Sequence, residues 1–192
     1  MKKPTPEAQE RRLKLRVAIK VLMYLAALSV VYVVISAIRT GNDEVPEVPT
    51  KKVDVSTMNP GEVNFLTWEG RPVLIYKRQG VELAKLREPD ARLKDQNSRN
   101  SEQPESAENS YRSIEADWFV AIASGTDLGC SLEHLPAESA PFQDKPWAGG
   151  FIDTCRKSRY DLAGRVFESQ YATKNLVVPA YAVSGQTIIL GR

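Results

Sequence analysis

Hydrophobic and polar positions are distributed unevenly along the chain. Val21 to Ile38 is uncharged throughout and is extended in front by Val17-Ala18-Ile19. As a helix, Val21 to Ile38 spans about 27 Å at ~1.5 Å per residue, close to the hydrocarbon thickness of a bilayer. Beyond residue 60 the apolar runs are short. Val63 to Trp68 and Pro72 to Lys77 read as two strands around Glu69-Gly70, and Trp118 to Ala123 as another. Val81 to Leu86 fits a strand or a helical turn. Ser131 to Leu135 reads as a short turn, and Ala137 to Trp147, with Pro141 and Pro146, as a loop. Asp161 to Val166 reads as a turn between strands. Ala91 to Ser113 is rich in Ser, Asn, Gln, Glu and Arg and almost free of large apolar residues. Such a stretch buries too little surface to order itself, so a flexible polar insert is expected there unless a partner holds it.

These elements predict an all-β head on a single N-terminal transmembrane helix. The expected segments are a basic tail over 1–16, an anchor over 17–38, a linker or hinge over 39–60 and the head over 61–192. The linker assignment rests on Pro46, Pro49 and Pro60. Lys2, Lys3, Arg11, Arg12, Lys14 and Arg16 precede the apolar run, while Asp43, Glu44 and Glu47 follow it. This asymmetry predicts a cytoplasmic (or matrix) N-terminus and a head in the periplasm (or intermembrane space). Arg11-Arg12 also fits a twin-arginine export signal, but a positive-inside flank beside a membrane helix is the simpler reading and the one adopted. A cleaved signal peptide is the competing reading of the apolar run; Ser36-Ala37-Ile38-Arg39 is a poor cleavage site for it.

The chain has 192 residues, two Cys, one His and a net charge of +2. That length leaves room for one globular domain. The positive charge collects at the N-terminus and no basic stripe is interleaved with aromatics, so nucleic acid is not an expected partner. The lone His134 forms no Ser/His/Asp set and no Cys/His zinc spacing. It reads as a solvated loop histidine.

The two cysteines lie in loops that carry the chemistry. One loop is Gly125-Thr126-Asp127-Leu128-Gly129-Cys130; the other runs Asp153-Thr154-Cys155-Arg156-Lys157-Ser158-Arg159-Tyr160-Asp161. They resemble the loops of the Rieske iron–sulfur protein of cytochrome bc complexes, which read Cys-Thr-His-Leu-Gly-Cys and Cys-Pro-Cys-His-Gly-Ser-His-Tyr-Asp. The likeness extends to Gly70 to Arg78, to Asp161 to Arg165 and to Asn175 to Tyr181. It implies a Rieske-type antiparallel β-sandwich with a small loop-built subdomain, and cytochrome b and cytochrome c type subunits as partners in a membrane complex.

The resemblance also implies roles that this chain alters. A Rieske centre takes two thiolates on one iron and two imidazoles on the other. The former cluster-ligand positions hold Gly125, Asp127, Asp153 and Arg156. The expectation is therefore that the 2Fe-2S cluster is lost, with no metal and no catalytic residue. Cys130 and Cys155 match the family's disulfide; two buried thiols or a redox-active disulfide are the other readings. Ser158 and Tyr160 match hydroxyls that hydrogen-bond the cluster, and in its absence read as structural. For the three replaced side chains, one reading pairs Asp127 with Arg156, with Asp153 as a second acceptor. Others leave all three in water or make a hard-metal site of the carboxylates, against which the arginine competes. Functionally these features predict a non-catalytic accessory or structural subunit of a respiratory complex. The rivals are an electron-transferring Rieske subunit and an assembly factor or docking module.

Overall fold

The structure is a computed structural model that describes residues 6–40, 48–139, 147 and 149–192. Lys2, Lys3, Asp43, Glu44, Pro46, Glu47, Pro141 and Pro146 lie outside the described residues. The chain divides into two units, residues 1–47 and 48–192.

The first unit contains α1 (Pro6–Thr40), a helix of 35 residues. Pro6 occupies the first helical position, where its missing N–H costs nothing. The helix starts before the anchor expected over 17–38, so residues 6–16 of the basic tail are helical. They are strong helix formers, and Lys14 pairs with Glu10 one turn away at 2.8 Å. The apolar part of α1 is long enough to cross a membrane.

Among the described residues, the second unit is built of nine strands in three small antiparallel sheets. One sheet is β2 (Val63–Trp68), β3 (Arg71–Lys77) and β4 (Trp118–Ile122). Glu69 and Gly70 both take positive φ, the two-residue turn geometry that suits the twist of a hairpin. Trp68 thereby falls opposite Arg71 and Val63 opposite Tyr76. The central strand β3 and its neighbour β4 bury both of their faces. A second sheet orders as β1 (Lys51–Asp54), β9 (Thr187–Leu190) and β8 (Tyr181–Ser184). Strand β1 lies inside the expected linker. It pairs with the chain's last strand, Lys51 opposite Leu190, so the ordered head starts before residue 61. The third sheet joins β5 (Leu132–Leu135), β6 (Gly150–Asp153) and β7 (Arg159–Tyr160) and carries the two loops. Ser131 to Leu135 is thus mostly strand, because His134 and its neighbours find hydrogen-bonding partners on β6. All three sheets contribute to one core, in which Tyr76, Phe119, Phe151, Tyr160, Leu176, Ile188 and Leu190 are almost fully buried. Val81 to Leu86 resolves as helix α2 (Gly80–Arg87), started by a reciprocal cap between Gln79 and Glu82.

Residues 91–113 pack onto the head, contrary to the flexible insert expected. Asp95 accepts hydrogen bonds from the Arg99 and Asn100 amides and the Ser101 hydroxyl. Asn175 donates to the Asp95 carbonyl at 2.7 Å and to Ser98 at 2.8 Å. Arg112, 1% exposed, donates to the carbonyls of Ala163 and Leu176. Cohesion here comes from polar groups that saturate buried backbone, which a reckoning of apolar surface overlooks.

Candidate functional site: the paired loops

The first loop closes tightly on itself. The Gly125 amide donates to the Cys130 carbonyl at 2.8 Å, and the Gly129 amide to the Gly125 carbonyl at 3.0 Å. Ser124 and Ser131 bridge beneath it. The second loop is organised by one carboxylate. Asp153, 3% exposed at the end of β6, accepts from the amides of Cys155 (3.0 Å), Arg156 (2.7 Å) and Ser158 (2.9 Å). Three N–H donors on one buried carboxylate are what such a charge requires in place of water. The loop turns back through Lys157, which takes a left-handed φ of 58°.

Several ties join the loops. Cys130 and Cys155 form a disulfide, 25 residues apart in sequence. The Thr154 amide donates to the Ser131 carbonyl at 3.0 Å. Arg156 Nη1 lies 3.1 Å from Asp127 Oδ2, with side chains 44% and 25% exposed. The Thr126 amide donates to the Tyr160 hydroxyl at 3.0 Å, and Thr126 Oγ1 donates onward to the Lys174 carbonyl at 2.7 Å. Burial raises the Tyr160 phenol above its ordinary pKa, partly offset by its Thr126 bonds.

A third segment completes the tip. The Ala172 amide donates to Ser158 Oγ at 3.2 Å. The Arg156 guanidinium stacks on the Tyr171 ring, 4.7 Å from its centroid. Tyr171 and, on the first loop, Leu128 are largely exposed.

The singled-out residues therefore converge, but not all in their expected roles. Asp127 and Arg156 pair. Asp153 is not a second acceptor for the Arg156 guanidinium; its oxygens are taken by the amides of its own loop. Nor does it point to water. Ser158 and Tyr160 hold backbone. His134 is not solvated: its Nε2 is buried without a hydrogen-bond partner, and its ring lies 4.8 Å from Tyr76 and 5.6 Å from Phe151. Desolvation lowers its pKa below 6.5. Thr126, Tyr171 and Asn175 were not legible as site residues. Each acts through a contact distant in sequence, and no local pattern marks them. Among the described residues, no group of three or more His, Cys, Asp or Glu could hold a metal ion.

No family model matches the chain. Curated relatives do. The ubiquinol–cytochrome c reductase iron–sulfur subunit of Allochromatium vinosum is 37% identical over 139 residues, covering 72% of this chain and 67% of that protein. The chain belongs to the Rieske iron–sulfur protein family. The subunit of the same name from Rhodospirillum rubrum is 33% identical, with 72% and 68% covered, and that of Rhodobacter capsulatus 32%, with 71% and 72% covered. A solved chain of a hyperthermophilic respiratory Complex III is 17% identical with a TM-score of 0.43, covering 90% of this chain and 98% of that one; nothing further rests on that likeness.

The relatives correct one expectation. They are named iron–sulfur subunits, which overturns the expectation of a chain that has lost its 2Fe-2S cluster. The donor set of this chain is a separate matter, and it does not fit a centre of two thiolates and two imidazoles. Both cysteines are joined to each other. A Cβ added at Gly125 would come within 2.9 Å of the Asp153 Cβ. Asp153 is taken up by the amides of its own loop, and Arg156 pairs with Asp127.

Proposed function

We propose that this chain serves as a membrane-anchored accessory or structural subunit of a respiratory cytochrome bc-type complex, assembling with cytochrome b and cytochrome c type subunits. In this reading α1 crosses the membrane with its basic end in the cytoplasm (or matrix), and the head stands in the periplasm (or intermembrane space). The observation that carries the role is the tip. There the disulfide, the loop-organising Asp153 and the Asp127–Arg156 pair tie the two loops together through protein groups. Such a tip offers a docking surface held by a disulfide and by carboxylate–amide hydrogen bonds. The names of the relatives favour a second reading, an electron-transferring iron–sulfur subunit.

Purification of the native membrane complex, with subunit identification and iron analysis, followed by deletion of residues 48–192, separates the two. The accessory role predicts co-purification with cytochrome subunits and a loss of complex yield on deletion, with turnover per remaining complex preserved. A specific loss of turnover with intact assembly, together with iron and sulfide stoichiometric with this chain, would establish the second reading instead.

A further inference from the structure

The amino-terminal turns of α1 segregate their charges. At 3.6 residues per turn, Arg12, Arg16 and Lys20 fall within an arc of about 80° and rise ~6 Å apart along the axis. Glu7, Glu10 and Lys14 occupy the opposite side of the same turns. The one ion pair within α1 among the described residues is Lys14 with Glu10, at 2.8 Å. Arg12, Arg16 and Lys20 are exposed, and no acidic partner lies beside them among the described residues. Like charges at i and i+4 repel in an isolated helix. Interleaved glutamates would relieve that repulsion, yet the available acids are turned away. The ladder ends where the apolar run begins, at Val21.

We propose that this ladder binds the headgroups of anionic phospholipids. The inference rests on α1 being a membrane anchor and goes beyond the role of the head. With Val21 at the edge of the hydrocarbon, Lys20 and Arg16 lie in a headgroup layer of roughly 5–8 Å, and the Arg12 backbone lies about 14 Å out, so its long side chain reaches back to meet the outermost phosphates. Lys20 reaches this level by snorkelling along the helix. A guanidinium presents a fork that matches phosphate oxygens, so Arg12 and Arg16 grip a phosphate bidentately. Because the helix continues unbroken from Pro6, the backbone positions of the three cations are held at fixed spacing. The site is a face, not a bulk charge, and that distinguishes it from a topology signal, which only counts cations near the membrane.

The test uses the full chain in nanodiscs of phosphatidylcholine with roughly one phosphatidylglycerol in five lipids, scored by native mass spectrometry of the lipids retained. Two double variants remove equal charge from different faces: R12Q/R16Q and R11Q/K14Q. Each cation near an anionic surface contributes about five-fold. R12Q/R16Q is expected to lose ten-fold or more of the preference for phosphatidylglycerol, and R11Q/K14Q less than about three-fold. Glutamine keeps the helix, so a general loss of structure is not expected to mimic the effect. Equal losses in the two variants would overturn the proposal in favour of bulk charge. Competition by soluble glycerol phosphate as effective as by phosphatidylglycerol would also overturn it, since the site would then read free phosphate. So would unchanged lipid retention with loss of a partner subunit from the native complex on R12Q/R16Q, which would make an acidic protein segment the occupant. Flotation of the full chain with vesicles after an alkaline wash tests the anchor separately; if the chain does not float, the anchor and the proposal fall together.

Discussion

The tip of the head, where the two loops meet, and the buried interior around Arg78 and Arg112, here called the base, both depend on arginine, in opposite ways. At the tip, Arg156 is 44% exposed, faces Asp127 across a gap open to water and stacks on the exposed Tyr171. At the base, Arg78 and Arg112 are sealed in. Arg78 donates to the carbonyls of Tyr111, Ala116 and Leu162 and to the Ser113 hydroxyl, and its face covers Phe119. Burial pushes the pKa of each base arginine down to about 10, which leaves both charged at neutral pH. Nearby, Arg165 and Asp161 form a buried pair at 2.6 Å. The base thus uses arginine as multi-donor cement for backbone carbonyls. The tip uses it as a surface clasp, and covalent and carboxylate–amide bonds do the holding there. A charge in the same kind of side chain is structural or marginal according to how much water it keeps.

The contrast can be broken most sharply at the base. Arg112→Ala should cost about 4 kcal/mol in urea unfolding of the full chain in neutral detergent, because it strands several buried carbonyls and leaves a cavity. A cost near that of a surface arginine would erase the distinction. Next comes the covalent tie at the tip. Reduction of Cys130–Cys155 opens a loop closed over a separation of 25 residues, worth about 3.5 kcal/mol on the chain-entropy account. The midpoint of unfolding with and without reductant reads this directly. Arg156→Ala should cost at most about 1 kcal/mol, and the effect should shrink as salt is raised. A salt-insensitive loss of several kcal/mol would move Arg156 into the class of the base.

The smallest effect concerns pH. His134 is uncharged more readily in the folded head than in the unfolded chain, because its site is desolvated. Below about pH 6.5 the unfolded chain takes up a proton that folded His134 resists, so stability is full above that value and declines as pH falls through the lowered folded pKa. His134→Phe should flatten this part of the curve between about pH 7 and 5 in a series of thermal melts. An unchanged slope would assign the dependence to other groups.

Much of the architecture was legible in the chain. The hairpin of Val63–Trp68 and Arg71–Lys77 announced itself through short apolar runs around Glu69-Gly70, since local turn chemistry sets its register. The apolar span of α1 was equally plain. The Asp127–Arg156 pair and the disulfide were legible only through the family likeness, which supplies a spatial relation that neither loop contains. The role of Asp153 was misjudged because charge was matched to charge; its partners are the amides of its own loop, which no residue identity reveals. The order in residues 91–113 was missed for a related reason. Asp95, Asn175 and Arg112 build it from hydrogen bonds to distant backbone, and a polar composition looks the same whether such bonds form or not.

That the paired loops are held by protein groups centred on Asp153 can be tested by amide hydrogen exchange in the full chain and in Asp153→Ala. The account predicts that the Cys155, Arg156 and Ser158 amides are protected in the native chain. In the variant they should become exchangeable, with a loss of about 2 kcal/mol in local stability, while amides of β3 and β4 keep their protection. Equal protection of those three amides in both proteins would contradict it.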